Sequence, residues 1–183
     1  MKLDSPIRTR SLLLRGLSAR DASGRYRTWM RDPEIQKYLE SRFVVHTVAS
    51  LRRYIEDCNA ASDLLLLGIC LANGRHIGNI KLGPVNTLHQ IAAVGLLIGE
   101  RDCWGKGYAS EAIVGVTRHA FTSMAIEKLY AGCYASNVGS AQAFVKAGWI
   151  IEGRSRAHWQ LGSQREDNIL LGIDRATWSA ADR

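Results

Sequence analysis

Proline and long apolar runs are scarce in this 183-residue chain, which carries only three prolines. Because no proline-rich stretch marks a linker, the length favours a single domain over residues 1–183. The longest apolar runs, such as Leu64–Leu67 and Ile91–Ile98, fall far short of the ~20 residues that a membrane-spanning helix needs. A hydrophobic fraction of 46% with 22% charged residues is typical of a folded globule and excludes disordered, collagen and coiled-coil classes.

Paired cysteines are also missing. The four cysteines, Cys58, Cys70, Cys103 and Cys133, are far apart, and no Cys-x-x-Cys pair or spaced histidine set completes a zinc site. We therefore expect no metal and four reduced thiols, mostly packed, with Cys103 the one that a loop could expose. The segment Met1–Pro6 has no apolar stretch like that of a signal peptide, so a cytoplasmic protein is expected.

The net charge is +7, from 24 Lys and Arg against 17 Asp and Glu. A basic surface favours anionic partners, either nucleic acid, phosphorylated cofactors or anionic lipid. The positive residues are scattered, however, and no dense basic stripe with interleaved aromatics is present. A solvated surface is the simpler interpretation, and neither nucleic acid nor a membrane is expected as a partner.

The apolar periodicity alternates between helix and strand. Helical spacing over Ala22–Met30 and caps at Asp32 and Thr47 predict helices early in the chain. Two β-like runs around Asn73-Gly74 predict a hairpin with a two-residue type I′ turn. Further strands and helices are expected to alternate after that hairpin, in the following runs: strands Ile91–Gly99, Leu129–Ala135, Trp149–Ser155 and Asn168–Ile173, and helices beginning near Ala109 and Asn137.

The segment Trp104–Ala109 carries the clearest chemical signal. It follows a strand and opens a helix, and Gly105, Gly107 and Ala109 give small residues at alternate positions. Such a helix start offers unpaired N–H groups and the positive end of the helix dipole, which suit a diphosphate, and Lys106 adds charge. The dinucleotide fingerprint fails because Ser110 stands at its third glycine, and the Walker spacing fails as well. A plain glycine-rich connection is the alternative.

This segment resembles the acetyl-CoA-binding motif of the GNAT N-acetyltransferases, in the branch of the ribosomal-protein N-terminal acetyltransferases. The family pattern Q/R-x-x-G-x-G/A is similar to Trp104-x-x-Gly107-x-Ala109, with Trp in place of Gln or Arg. A second motif, Asn137-x-x-Ser140 followed by Lys146-x-Gly148-Trp149, also resembles the family. The resemblance covers a core of about residues 8–175.

The resemblance implies an α/β fold in one GNAT-like domain. It implies a bent, mixed but mostly antiparallel sheet of about seven strands with four or five flanking helices, and two central strands that splay around the pantetheine arm of acetyl-CoA. Leu97 and Ile98 would bind that arm through their main chain, unless they serve core packing alone, and Asn137 through its amide. The implied cofactor-binding residues are Leu97, Ile98, Trp104, Gly105, Lys106, Gly107, Tyr108, Ala109, Asn137, Ser140 and Phe144.

Direct transfer of acetyl to an amine needs a deprotonated amine, donors for the carbonyl oxygen and a way for the thiolate to leave. Many family members place a tyrosine acid where this chain has Phe144. Ser140, one helical turn earlier, is the candidate acid here, since a serine at this position has that role proposed in the ribosomal-protein branch. Its alternative role is a hydrogen bond to the backbone or cofactor.

The base and the acceptor are less determined. His89 precedes the cofactor strand and is a candidate base or acceptor-binding residue, because an unperturbed imidazole suits proton transfer near neutrality; a histidine in a surface loop is more often simply solvated. Asn79 and Lys81 share a strand face with Ile77, and Glu34 lies on an early helix; each is a candidate acceptor-binding residue. The segment Ile77–Asn86 resembles GNAT members associated with aminosugars, which slightly favours an aminosugar or nucleotide aminosugar over a protein N-terminus or small amine. A non-catalytic acyl-CoA sensor and a homodimer stay open.

Overall fold

The computed structural model describes Met1 and residues 3–181. The strands are β1 (Ile7–Arg8), β2 (Leu12–Gly16), β3 (Leu65–Leu71), β4 (His76–Asn86), β5 (Ile91–Ile98), β6 (Lys128–Tyr134), β7 (Ile150–Leu161) and β8 (Gln164–Asp174). The helices are α1 (Arg25–Trp29), α2 (Pro33–Gln36), α3 (Val48–Ala60), α4 (Tyr108–Ser123), α5 (Val138–Lys146) and α6 (Arg175–Ala181). Short 3-10 turns cover Ala19–Ser23, Glu40–Phe43 and Arg101–Cys103.

The eight strands form one sheet in the order β1-β2-β3-β4-β5-β6-β8-β7. All neighbours are antiparallel except β5 and β6, which run parallel. This confirms the expected α/β fold with a mixed, mostly antiparallel sheet, at eight strands and six α-helices in the described part of the chain. None of the described helices is long and apolar enough to cross a membrane.

Helices cover both faces of the sheet. On one face, here called the front face, Leu66 and Leu97 pack with the helices α1–α3, whose inward residues include Trp29, Leu51 and Ile55. On the opposite back face, α4 and α5 bury a larger core built around Ile113, Phe121 and Phe144. The expected caps are present, because Asp32 accepts from the Glu34 amide and Thr47 from the Ser50 amide. The helices after Asp32 and Thr47 therefore begin where local signals predict, whereas the helical spacing over Ala22–Met30 is divided between a 3-10 turn, Ala19–Ser23, and the five-residue α1.

The hairpin between β3 and β4 corrects the predicted turn. Only Gly74 has a positive φ, at +83°, whereas a type I′ turn would need one at Asn73 as well. The Gly74 amide donates to the Leu71 carbonyl and the Leu71 amide to the Arg75 carbonyl, which closes a three-residue loop. A left-handed glycine after an ordinary turn replaces the expected two-residue turn because Gly74 alone supplies the required conformation.

A register shift beside the hairpin corrects a second prediction. His76 pairs with Cys70 and Gly78 with Ile69, which leaves Ile77 as an extra residue in β4. The bulge turns Ile77 into the back-face core, where it is fully buried. Asn79 and Lys81 therefore share the front face without Ile77.

Cysteine placement corrects a third prediction. All four cysteines are free and buried, including Cys103, which was the candidate for exposure. The turn Arg101–Cys103 directs this side chain into the back-face core, where only 4% of the residue is exposed.

Candidate functional site

The loop before α4 presents a row of main-chain amides that we call the cradle (residues Gly105–Ser110). Within the described chain, none of these six amides donates a hydrogen bond, and the first bond of the helix runs from the Glu111 amide to the Gly107 carbonyl at 3.0 Å. Consecutive free N–H groups at the start of a 16-residue helix create a positive, anion-binding surface. Tyr108 and Ala109 are half-buried, while Lys106 is exposed between the two glycines. The cradle is open to a ligand.

Two glycines give the cradle its shape. Gly105 has φ +72° and Gly107, the N-cap of α4, has φ +84°, both in the left-handed region that favours glycine. A Cβ added at either position would meet no atom within 4 Å. The glycines are therefore required by backbone conformation and by access to the amides, rather than by crowding within the protein.

Trp104 departs from its expected place. Its amide already donates to the Arg101 carbonyl at 3.1 Å, so it is not part of the row of free amides. Its indole Nε1 instead donates to the Ile98 carbonyl at 2.8 Å, and 43% of the residue is exposed. Trp104 thus contacts the end of β5 through its side chain, and the free amides begin one residue later than the sequence predicts.

Next to the cradle, β5 and β6 separate. Their pairing spans three residue pairs and ends at Ala93 and Tyr130, after which the two strands diverge. We call the gap between 94–98 of β5 and 131–134 of β6 the wedge. This splay matches what the family resemblance implied.

The register decides which main-chain groups face the wedge. The Gly99 amide donates to the Ile77 carbonyl of β4, and main-chain groups alternate along a strand, so Leu97 also directs its main chain toward β4. Leu96 and Ile98 direct theirs toward the wedge. Of the two residues named from the sequence, Ile98 directs its main chain toward the wedge, whereas Leu97 directs its main chain toward β4 and its side chain to the front face. Leu96, which the sequence did not indicate, also faces the wedge.

The opposite edge of the wedge leads into α5. Asn137 caps this helix, because its Oδ1 accepts from the Ser140 amide at 3.4 Å. Ser140 is half-buried and hydrogen-bonds the thiol of Cys133; burial raises the pKa of that thiol, and this bond opposes the rise. Phe144 is 2% exposed and packs on Trp149 with ring centroids 4.7 Å apart. Ser140 and Asn137 flank the wedge, while Phe144 belongs to the core.

On the front face beside the wedge, Asn79 and Lys81 are in register with Leu97 and Gly95. Asn79 is buried, and its Oδ1 lies 2.8 Å from Nε2 of His76. Burial is the main cause that lowers the pKa of His76, so its neutral form is favoured. Lys81 is half-buried and lies across from Gly95, which exposes its backbone.

Two predicted residues lie apart from the wedge. His89 is exposed in the turn before β5, and its amide donates to the Asn86 side chain at 3.0 Å. It is separated from the cradle by the length of β5, roughly 23 Å of strand. Glu34 is exposed on α2 and pairs with Arg101 at 2.6 Å, just ahead of the cradle. The structure therefore does not bring His89 to the other site residues, and it commits Glu34 to an ion pair.

A charged cluster anchors the turn that leads into the cradle. Glu100 accepts from Nε1 of Trp29 at 2.9 Å and from Arg25 at 2.7 Å, and it also pairs with Arg75. Burial disfavours its charge, but these hydrogen bonds together hold the pKa of the Glu100 carboxyl below its usual range. Glu111 likewise accepts three hydrogen bonds from Thr9 and Ser11, which directs its charge away from the free amides.

Sequence reasoning missed an aromatic cluster at the far end of β6. Tyr134 is buried, and its hydroxyl donates to Oε1 of Glu40 at 2.6 Å. The ring centroid of Tyr134 lies 5.2 Å from that of Trp159, on which it stacks, and 5.5 Å from that of Tyr38. These residues come from three distant segments. No local periodicity could have assembled them, and only the strand order does so.

An amide cradle at a helix start, beside two parallel strands that separate, defines a class of protein that binds a phosphorylated, extended ligand between strands. No group of three or more His, Cys, Asp or Glu residues in the described chain is arranged to hold a metal ion.

Comparison with known proteins agrees with this class. The sequence profile of the "Acetyltransferase (GNAT) domain" matches residues 11–150. The probable N-acetyltransferase YjcK of Bacillus subtilis is 33% identical over 103 residues, 56% of this chain and 56% of that protein. The uncharacterized N-acetyltransferase p20 of Bacillus licheniformis is 28% identical over 172 residues, 90% of this chain and 93% of p20.

Among solved structures, RimL, a ribosomal L7/L12 α-N-protein acetyltransferase in complex with coenzyme A, has a similar fold. The TM-score is 0.83 with 14% identity, over 93% of this chain and 98% of RimL. The chain belongs to the GNAT acetyltransferase family, whose members are acyltransferases.

Proposed function

We propose that this chain transfers an acetyl group from acetyl-CoA directly to a primary amine while both substrates are bound. The observation that carries the proposal is the row of six free amides in the cradle, next to the splayed strands. A sequence profile alone would be compatible with a degenerate site, but here the amides are open and the backbone conformation that exposes them is kept.

The residues present fit coenzyme A. The amides of the cradle suit its diphosphate, Lys106 adds a positive charge, and the outward main-chain groups of Leu96 and Ile98 suit the amide groups of its pantetheine arm. When bound, acetyl-CoA supplies the thioester carbonyl that the amine attacks. Trp104 already donates to the Ile98 carbonyl, which leaves the Ile98 amide as the group that this residue offers.

Ser140 is proposed as the proton donor to the departing thiolate. Its hydroxyl lies at the N-terminal end of α5, where the helix dipole also favours negative charge. Because a thiol has an ordinary pKa of ~8.5, modest assistance is enough for it to leave. The amine acceptor would approach from the front face, which Lys81, Gly95 and Asn79 line.

An aminosugar or nucleotide aminosugar is the proposed acceptor class, ahead of a protein N-terminus or a small amine. We assign the phosphate of an anionic acceptor to a pocket at α1 and α2. Arg27, Thr28, Arg31, Asp32 and Pro33 line it, and among the described residues neither Arg27 nor Arg31 forms an ion pair. Two free guanidinium groups in one pocket suit a phosphate.

The test is thiol release from acetyl-CoA with a panel of amines that includes D-glucosamine, a nucleotide aminosugar and a dipeptide. We expect turnover with at least one oxygen-bearing amine. Binding of acetyl-CoA without turnover across the panel would favour the sensor alternative. The four buried thiols suit a reducing compartment, which supports the cytoplasmic location as part of this proposal.

A further inference from the structure

A second polar site lies on the front face at the end of β6, beyond the point where β6 leaves β5. Tyr134 is directly across from Asn168 of β8, and Trp159 of β7 is across from Glu166, so strand alternation turns Tyr134, Asn168 and Trp159 to the same face. Tyr134 and Trp159 stack with their planes 21° apart. The three side chains therefore form one group, which we call the Tyr134 group.

Two atoms of this group are buried without a hydrogen-bond partner. They are Oδ1 of Asn168, in a residue that is 6% exposed, and Nε1 of Trp159; neither is reached by any group of Met1 or residues 3–181. An unmatched buried donor or acceptor costs about 1–3 kcal/mol, so native proteins rarely keep one without a reason. Here one acceptor and one donor are left unmatched beside the same tyrosine.

The position of the Asn168 amide connects this group to the wedge. A Cβ added at Gly132 would lie 2.8 Å from Oδ1 of Asn168, so the amide lies over that glycine. Gly132 comes two residues after Tyr130, the last residue of β6 that pairs with β5, and its backbone is exposed. Oδ1 of Asn168, a hydrogen-bond acceptor, thus lies at the front edge of the wedge, on the face from which the amine substrate is proposed to approach.

We propose that Asn168 and Trp159 bind the acceptor substrate, with Oδ1 of Asn168 accepting a hydrogen bond from the amine N–H and Nε1–H of Trp159 donating to an oxygen of the same molecule. The inference rests on the proposed acetyltransferase function and defines its substrate class. That class is a primary amine with a hydrogen-bonding oxygen a few bonds away, the chemistry shared by an aminosugar and a peptide N-terminus.

An alkylamine without oxygen would leave the Nε1–H of Trp159 without a hydrogen-bond partner. If Asn168 and Trp159 were only structural, the KM would not depend on whether the amine carries an oxygen. Steady-state kinetics with D-glucosamine and with cyclohexylamine, a six-membered ring without hydroxyls, separate these cases. Seryl-alanine as a third acceptor distinguishes a peptide source from a sugar source. Wild-type protein should use glucosamine or seryl-alanine with a lower KM than cyclohexylamine.

Variants of Trp159 and Asn168 test the two proposed substrate contacts separately. Trp159→Phe keeps the aromatic stack, and we expect it to raise KM for the oxygen-bearing amine about tenfold while leaving KM for cyclohexylamine unchanged. Asn168→Leu should raise KM for both amines, whereas Asn168→Asp, which still offers an acceptor, should bind the ammonium form at least as well as wild type. The KM for acetyl-CoA should not move in any of them.

Thr117→Val is the matched control, since Thr117 is a buried polar residue on the back face that accepts from Nε1 of Trp149. Unchanged acceptor KM in Trp159→Phe and Asn168→Leu, or equal losses in Asn168→Asp and Asn168→Leu, would overturn the inference while the enzyme still turns over. Absence of thiol release with every amine in wild type would instead contradict the proposed function, and this inference with it.

Discussion

Two features of Gly107 favour glycine. Its φ of +84° lies in the left-handed region, and the absence of a side chain leaves the amides of the cradle accessible. Gly74, in the β3–β4 loop, has nearly the same φ of +83° and also has open space around an added Cβ. The two glycines are therefore a matched pair that separates backbone strain from ligand contact.

We expect Gly107→Glu and Gly74→Glu to lose similar stability, about 1–2 kcal/mol, from a side chain in the left-handed region. Only Gly107→Glu should abolish binding of acetyl-CoA, since it adds bulk and negative charge beside the free amides. Isothermal titration with acetyl-CoA, alongside thermal unfolding of both variants, measures the difference. Equal affinity in the two variants would remove the cradle from the proposed site.

Ser140 allows a second test at this scale. Ser140→Ala should lower kcat about a hundredfold if its hydroxyl protonates the leaving thiolate, while the Kd for acetyl-CoA changes little. Ser163→Ala, in the turn between β7 and β8, is the control serine. A kcat equal to that of wild type would reject Ser140 as the acid and leave the dipole of α5 as the main assistance.

At the scale of elements, Glu111 ties the β1–β2 turn to the first turn of α4. Its carboxylate accepts from Thr9 Oγ1 at 2.7 Å and from the amide and hydroxyl of Ser11 at 2.6 Å. Burial disfavours the charge, but hydrogen bonds from Ser11 and Thr9 lower the pKa of this carboxyl overall. The contact holds the helix that carries the cradle.

We expect Glu111→Gln to reduce the free energy of unfolding by about 1–3 kcal/mol, because an amide satisfies fewer of these donors. Glu56→Gln, an exposed glutamate on α3, should be neutral. Urea unfolding at neutral pH measures both. A loss as small in Glu111→Gln as in Glu56→Gln would mean that the turn is held by packing alone.

Elements also mark the limit of sequence-based prediction. The caps at Asp32, Thr47 and Asn137 and the strand–cradle–helix order were predicted because they depend on residues within one or two turns. The sequence does not predict that the side chain of Ile77 points to the opposite face from Asn79 and Lys81, because a bulge depends on how two strands align. The sequence could not assign Leu96 in place of Leu97 either, because only the pairing with β4 decides which main chain faces outward.

The acceptor side was the least predictable part. The chemistry of His89 and its nearness in sequence to β5 favour it as a base, but the length of β5 separates it from the cradle. Tyr134, Trp159 and Asn168 meet through strand pairings across more than one loop, so no spacing along the chain indicates them. Local signals predict the segment proposed to bind the cofactor, whereas only tertiary pairing brings the proposed acceptor contacts together.

For the whole molecule, depressed carboxyl pKa values imply sensitivity to acid. Burial opposes ionisation of Asp21, but its bonds to Arg15 and Ser18 lower its pKa to about 2, and the pKa values of Glu100 and Glu111 are also lowered. A group with a lowered pKa stabilises the folded state above its unfolded pKa and loses that contribution as pH falls toward the folded value.

We therefore expect the free energy of unfolding to decline gently below about pH 6.5, where burial lowers the pKa of His76 and His119 in the folded state, and to fall more steeply between about pH 4 and pH 2, where the carboxyls are protonated. Asp21→Asn should flatten this fall, because it removes one proton-linked contribution. Denaturant unfolding at a series of pH values measures the slope. If the free energy of unfolding of Asp21→Asn depends on pH as steeply as that of wild type, the Arg15–Asp21 pair does not contribute to acid sensitivity.

The sequence leaves open whether the chain forms a homodimer, and analytical sedimentation decides that question.

The separation of β5 from β6 has one more consequence. In the part of the chain that the structure describes, three residue pairs join β5 directly to β6, so the two halves of the sheet meet over a short length of strand. In the proposed complex, a pantetheine arm lying along Leu96 and Ile98 would supply hydrogen bonds to the part of β5 that β6 leaves unpaired. At a hundredfold excess over Kd such a ligand stabilises a fold by about 2.7 kcal/mol, so under the proposed function acetyl-CoA should slow the proteolysis of this chain.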